Sequence, residues 1–213
     1  MTKFNESQIN SLREHIRGKM SDFRFAHTSG VEKMAVRLGE IYCPDQTDVL
    51  RVAALLHDVT KELSISEHTE IYRRHSLEPS KEELSAPTTL HSVTAALIIP
   101  EKYPEFASDE VISAVKYHTV GRAEMTLTEK LIFLADYIDE TRKYDDCVAL
   151  RKEFFDAEPE KMTENEKNIH LDRVILHAFD LTVADIIKNK RVLSPETVSA
   201  RNSIICSLLR LEK

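Results

Sequence analysis

The chain has 213 residues, 42% of them hydrophobic and 31% charged, with 4 Gly, 7 Pro, no Trp and a formal net charge of -7. That length buries one full-sized core or at most two small ones, and so few turn-formers suit long helices with short connections better than a sheet. The acidic balance, without any Lys/Arg block, excludes non-specific nucleic-acid binding, yet leaves room for a small phosphorylated ligand held by a metal and a few local cations.

No apolar stretch approaches the roughly 18 residues a membrane span requires, and Met1 to Ser11 carries no apolar signal region, so a soluble, cytoplasmic protein is expected. Cys43, Cys147 and Cys206 are dispersed and odd in number. They suggest neither a disulfide framework nor a thiolate zinc site and fit a reducing compartment.

In chain order, Ile9, Leu12, Ile16 and Met20 mark an outer helix from about Ser7 to Met20, with Asn5 and Gln8 resembling a capping box. Met34, Ala35, Leu38 and Ile41 mark the next helix, with His27 near its start. Pro44 breaks the pattern, and Thr47 or Asp48 can cap a helix running through Leu56 to His57-Asp58. Ser64/Glu67 and Ser80/Glu83 match capping boxes for two short helices in a polar interval from about Glu62 to Thr88, where His68 and His75, surrounded by charge, read as solvated. Leu90 to Ile99 turns apolar again, carries His91 at its front, and is expected to end at Pro100 and Pro104. Ser108 caps a helix reaching His118, with Gly121 suited to its C-terminal side. Thr126/Glu129 opens another, in which Asp136 interrupts an apolar run and Asp139, Glu140 and Arg142 are expected to continue toward solvent. A short helix from Asp145 to about Phe155, a charged connection to Glu164, a long helix through Ile186 and a last helix opened by Ser194-Pro195 complete one all-α domain.

The residues carrying chemistry are the polar intrusions. Val52 to Leu56 is apolar and helix-compatible, and then His57, Asp58, Thr60 and Lys61 follow within five positions. A divalent metal satisfies adjacent imidazole and carboxylate together, but two adjacent ligands do not hold one alone. His27, His91, His118 and Asp136 are the other polar groups set into apolar helical stripes. Taken singly, each is more readily a hydrogen-bonded structural residue, and Asp136 an ion-pair partner of Arg142 or Lys130. Together they form a nitrogen and carboxylate ligand set for metal-assisted hydrolysis of a phosphate ester or anhydride. His15, His68, His75, His170 and His177 fall to structural roles. Met34 and Met125 read as core filler, and no Gly-rich phosphate loop occurs.

The phrases HTSGVEKMA from His27, AALLHDVTKEL from Ala53, LHSVTAA from Leu90, AVKYHTVGRAEMT from Ala114 and ADYIDETR from Ala135 resemble the HD-domain metal-dependent phosphohydrolase superfamily. Within it they look like the YqeK-like branch, the bacterial symmetrical diadenosine tetraphosphatases. The resemblance implies an HD-domain helical bundle with a metal-site core over about 23–142 and a C-terminal helical extension over about 145–213. It implies His27, His57, Asp58, His91, His118 and Asp136 as metal ligands, with Asp58 bridging, and Asp58, Lys61 and Asp136 as catalytic. Lys61, Thr119, Gly121, Asp139 and Arg142 are implied on the substrate side. One or two divalent transition-metal ions are expected, iron first, with manganese, zinc or nickel admissible. The expected partner is a diadenosine polyphosphate, cleaved into two ADP, with no nucleic acid, no membrane and room for a homodimer. Val120, Glu140 and Ser92 depart from the family's usual residues without touching a ligand. The same ligands would also serve another HD-type nucleotidase or nucleotide phosphodiesterase, or a non-catalytic nucleotide-sensing module.

Overall fold

Side-chain caps decide where most of the helices start. The computed structural model describes residues 3–211, and among them it contains α-helices, short 3-10 turns and no strand. Helix α1 (Glu6–Arg17) opens on Asn5, whose side chain accepts the Gln8 amide at 3.0 Å while Gln8 returns the bond to the Asn5 amide at 3.0 Å. The same reciprocal pairing, Ser or Thr against a Glu three residues on, starts α4 (Ile65–Arg74), α5 (Lys81–Ser85), α8 (Leu127–Ile138) and α10 (Glu164–Lys188). Each pairing satisfies two N–H groups that the helix cannot satisfy itself, contributing about 1 kcal/mol. Helix α2 (Asp22–Tyr42) is capped by Ser21 and α7 (Asp109–Tyr117) by Ser108. Helix α9 (Asp145–Asp156) follows Tyr144, and α11 begins at Pro195 (Pro195–Leu211).

Four local expectations are corrected. Helix α3 (Thr47–Leu56) has no side-chain cap. Asp48 is buried and accepts the Lys3 and Phe4 amides at 2.5 and 2.6 Å, anchoring the segment before α1. Helix α6 (Leu90–Lys102) passes through Pro100, because a proline in the last turn removes only one main-chain bond before the helix ends anyway. Helix α8 does not continue to Arg142. Asp139 is extended, with φ -59° and ψ 154°, and its Oδ1 accepts the Thr141 amide at 2.8 Å, an Asx turn that bends the chain back inward. Finally, His68 is buried, not solvated, with Nδ1 2.8 Å from Thr94 Oγ1. It shares the inner stripe of α4 with Ile71 and Tyr72, three and four residues on.

Helix α3 is the axis of the fold. Every residue from Val52 to Leu56 is fully buried, so the C-terminal half of α3 has an apolar circumference, as a helix end enclosed by others requires. Helices α2, α7 and α8 pack around it, α6 lies on α7, and α10 rests on α9 and α11 and reaches α8. One cluster of apolar contacts runs from Phe4 and Ile9 through α3 to Phe179, Ala200 and Leu208. The three cysteines are free, and no helix among the described residues is long and apolar enough to cross a membrane.

Candidate metal centre and substrate cleft

The C-terminal end of α3 delivers His57 and Asp58 to the middle of the molecule, and four other helices bring their polar groups to the same point. His27 comes from the second turn of α2, His91 from the first turn of α6, His118 from the end of α7 and Asp136 from the last turn of α8. All four imidazoles and Asp58 are buried.

Each imidazole is held by Nδ1 and presents Nε2 inward. His57, His91 and His118 all donate Nδ1–H to the carbonyl three residues earlier, those of Ala54 at 2.6 Å, Thr88 at 2.8 Å and Val115 at 2.7 Å. His27 Nδ1 lies 3.4 Å from Asp139 Oδ2 and 3.3 Å from Thr141 Oγ1. Fixing the tautomer through Nδ1 leaves the Nε2 lone pair for a ligand, the arrangement that metal-bound histidines use.

Asp58 divides these nitrogens into two sets. Its Oδ2 faces His57 Nε2 at 3.4 Å and His27 Nε2 at 3.7 Å, while its Oδ1 faces His91 Nε2 at 3.2 Å and His118 Nε2 at 3.8 Å. Asp136 Oδ1 joins the first set, 3.0 Å from His27 Nε2 and 3.9 Å from His57 Nε2. Ligand atoms bonded to one transition metal at about 2.0–2.2 Å stand about 3.0–3.5 Å apart, so these spacings suit metal coordination. The atoms offered by His27, His57 and Asp136 lie within 4.8 Å of one another, as do those of His57, Asp58 and His118. His57 Nε2 is buried without a hydrogen-bond partner, which the fold leaves costly unless an ion takes it up. The donor set therefore fits a divalent metal.

The local field agrees with that assignment at His91 and His118. Burial, then the neighbouring His91, pushes the His118 imidazole well down, and burial also lowers His91 against the opposing pull of Asp58. Both are thereby kept neutral, as ligation needs. Burial opposes ionisation of Asp58 and Asp136, yet His57 for the first and Arg142 for the second hold them well below the usual carboxylate range. His27 is pushed up to about 9, burial opposing and the bonds to Asp136 and Asp139 prevailing.

Three cations surround the ligands. Lys61 Nζ lies 3.1 Å from His91 Nε2 and 4.0 Å from Asp58 Oδ1, and burial lowers its pKa. Arg142 bonds to Asp136 through both the carboxylate and the main-chain carbonyl. Arg24, which the sequence reading passes over, bonds to Asp58 Oδ2 at 2.6 Å. Its signal was its place on α2, three residues before His27 and so on the same face.

Two of the implied substrate-side residues stand elsewhere. Asp139 is fully buried behind His27, where it orients the ring. Gly121 has φ +69°, and a Cβ there would meet Phe179 Cζ at 2.7 Å and Ala200 Cβ at 2.9 Å, so the residue seats the His118 loop against α10 and α11. Thr119, by contrast, points Oγ1 at His91 Nε2 and His118 Nε2, 3.2 and 3.1 Å away. A cleft of about 610 Å³ opens from His118, Thr119, Asp136 and Arg142. Its farther wall is Phe133, Tyr137, Tyr144, Leu181 and Val192, an apolar and aromatic surface beside a polar end.

Residues 24–141 match the HD domain family. A curated relative from Staphylococcus aureus (strain NCTC 8325 / PS 47), described as bis(5'-nucleosyl)-tetraphosphatase, symmetrical, is 38% identical over 125 residues, which is 58% of this chain and 62% of that protein, so the match spans less than two thirds of the relative's length. Relatives with the same description from Halalkalibacterium halodurans and Bacillus subtilis are each 25% identical over 190 residues. Those alignments take in 89% of this chain and 93% and 94% of the two relatives. Among solved structures, a predicted HD superfamily hydrolase involved in NAD metabolism from Clostridium acetobutylicum superposes with a TM-score of 0.80 and 29% identity, over 93% of this chain and 97% of that one.

Proposed function

The chain belongs to the HD domain family, and from that premise we propose that it is a metal-dependent phosphoanhydride hydrolase dividing diadenosine tetraphosphate into two ADP. The observation that carries the reading is the Asp58 carboxylate, placed with one oxygen toward each of two histidine pairs beside a cleft wide enough for a nucleotide. The names of the three relatives supply the substrate and the symmetry of its cleavage.

His27, His57, Asp136 and Asp58 Oδ2 would hold one divalent ion, and His91, His118 and Asp58 Oδ1 a second. A mixed imidazole and carboxylate set without thiolate admits iron, manganese, zinc and nickel, and of these we propose iron, as the family resemblance implies. An ion held there would supply hydroxide at neutral pH by lowering the pKa of bound water from about 15.7 to near 7. Asp58 and Asp136, as ligands, would also orient the attacking water. Lys61 and Arg142 neutralise the phosphate oxygens as charge redistributes, and Thr119 offers a hydroxyl beside them. Partial burial of these cations beside carboxylates strengthens each contact by lowering the local dielectric. The aromatic wall of the cleft receives a purine. Three free thiols suit a reducing cytoplasm.

Anaerobic purification with elemental analysis, followed by chromatography of the products from diadenosine tetraphosphate, tests this reading. Two ADP per substrate, abolished by a chelator and restored by iron or manganese, is the expected result. ATP plus AMP, or turnover of monophosphates alone, overturns it. The description of the Clostridium acetobutylicum protein places NAD in the same substrate panel.

A further inference from the structure

Symmetrical cleavage sets a requirement that the cleft meets only in part. If the bond broken is the central one, two identical nucleotide halves leave the metal centre in different directions, and each needs a cation for its phosphates and a surface for its base. The cleft beyond Asp136 supplies one such pair, Arg142 on the carboxylate and Tyr144 at the wall. Tyr144 is 73% exposed, an aromatic ring left in solvent two residues after the arginine.

Helix α2 repeats this pattern beside Asp58. Arg24 bonds to Asp58 Oδ2 at 2.6 Å, as Arg142 bonds to Asp136, and the adjoining Phe23 is 79% exposed. Phe23 stands four residues before His27 and Arg24 three, so both belong to the helix face that carries the ligand. An apolar ring this exposed at the first turn of a helix contributes nothing to the core, whereas a purine stacked on it would cover both surfaces. The place is rigid. Ser21, the cap of α2, bonds to Glu62 through its amide at 2.8 Å and its hydroxyl at 2.5 Å, tying this turn to the segment that follows Asp58 and Lys61. Asp58 takes the guanidinium through Nη1, and the side chain remains 20% exposed, which leaves donors for a phosphate.

We propose that Phe23 and Arg24 form the subsite for the second nucleotide half, beside Asp58 on α2 and separate from the half held by Arg142 and Tyr144. The assignment rests on the dinucleoside tetraphosphate reading above. Arg24 is a phosphate-binding cation there, and Phe23 is the base platform that makes a dinucleotide a better ligand than a nucleotide with one base.

The test uses the metal-loaded protein and its Phe23→Ala and Arg24→Gln variants, with ADP, the product of central cleavage, as the probe. Equilibrium dialysis of ADP is expected to give two sites per chain in the unaltered protein and one in each variant. The KM for diadenosine tetraphosphate should rise about tenfold in Phe23→Ala, the size of one lost base–aromatic stack. Phe23 touches no ligand, so Phe23→Ala decides the matter even if Arg24→Gln loses metal by elemental analysis. One ADP site in the unaltered protein, or two sites and an unchanged KM in Phe23→Ala, overturns the proposal. Failure of the unaltered protein to form two ADP is seen separately, by product chromatography, and overturns the reading beneath it.

Discussion

Thr60 donates its hydroxyl to the main-chain carbonyl of His91 at 2.8 Å, tying the turn that carries Asp58 to the first turn of α6. Thr94 Oγ1 lies 3.0 Å from Thr60 Oγ1 and 2.8 Å from His68 Nδ1, so a buried chain of three side chains stands behind the second histidine pair. Such chains hold position only when every member is satisfied.

Thr60→Val should therefore cost about 1–3 kcal/mol of stability, the usual consequence of an unsatisfied buried partner. It should also weaken the ion between His91 and His118 by about 10–100-fold. The ion at His27 and His57 should be retained. Urea unfolding and a chelator titration with elemental analysis measure the two effects.

Asp58→Asn keeps the side-chain volume and removes the charge. Because both oxygens face histidine nitrogens, the substitution should strip the metal and lower turnover by at least about 10²–10³-fold. Metal content and product formation should fall together. A variant that keeps its full metal content and rate would remove Asp58 from the centre.

Gly30→Ala tests the support of His27. A Cβ at residue 30 would stand 2.8 Å from Asp139 Oδ1 and 2.8 Å from Thr141 Cγ2, the two side chains that hold His27 Nδ1. The expected outcome is a helix that still folds, with metal affinity reduced about 10–100-fold by the displaced Asp139. Circular dichroism and competitive chelation distinguish this from simple unfolding.

The pH dependence of the metal-free protein follows from His27. Its folded pKa, about 9, lies above the ordinary value of 6.5, so its contribution is complete below pH 6.5 and is lost as pH rises toward 9. The loss amounts to at most about 3 kcal/mol. Asp58 and Asp136, held low, contribute above the ordinary carboxylate range and are lost only in acid, outside this window. Urea unfolding of chelator-treated protein between pH 6.5 and 9 should show the decline, and His27→Gln should flatten it. Metal uptake near pH 7.5 should release about one proton from the same ring, seen as a dependence of binding heat on the buffer.

Much of this architecture is legible in the sequence because its signals are local. Asn5/Gln8, Ser64/Glu67, Ser80/Glu83 and Thr126/Glu129 announce helix starts without knowledge of the fold. His57-Asp58 and Asp136 stand out because charge follows or interrupts an apolar run. The centre's supports are less visible, since they depend on which face of a helix turns inward. Charged neighbours in the chain made His68 look solvated, although Ile71 and Tyr72 mark its stripe as buried. The place of Asp139 is hidden because the pattern of α8 gives no stop signal after Ile138, where Asp139 and Thr141 form a turn. Arg24 carries no signal of its own, since an arginine near a helix start is ordinary until its carboxylate partner, 34 positions away, is known.

The Nδ1 bonds of His57 and His118 have a consequence for descent. Each ring closes the end of its own helix by bonding a carbonyl that the last turn leaves open. A lineage that had abandoned catalysis would still lose stability on replacing them, so these histidines would persist as fossils of a vanished activity. Asp58 and Asp136 are paired with cations and imidazoles of the centre itself, and selection on the helices alone would not preserve them. In a distant homologue, the two carboxylates are the better witnesses to a working enzyme.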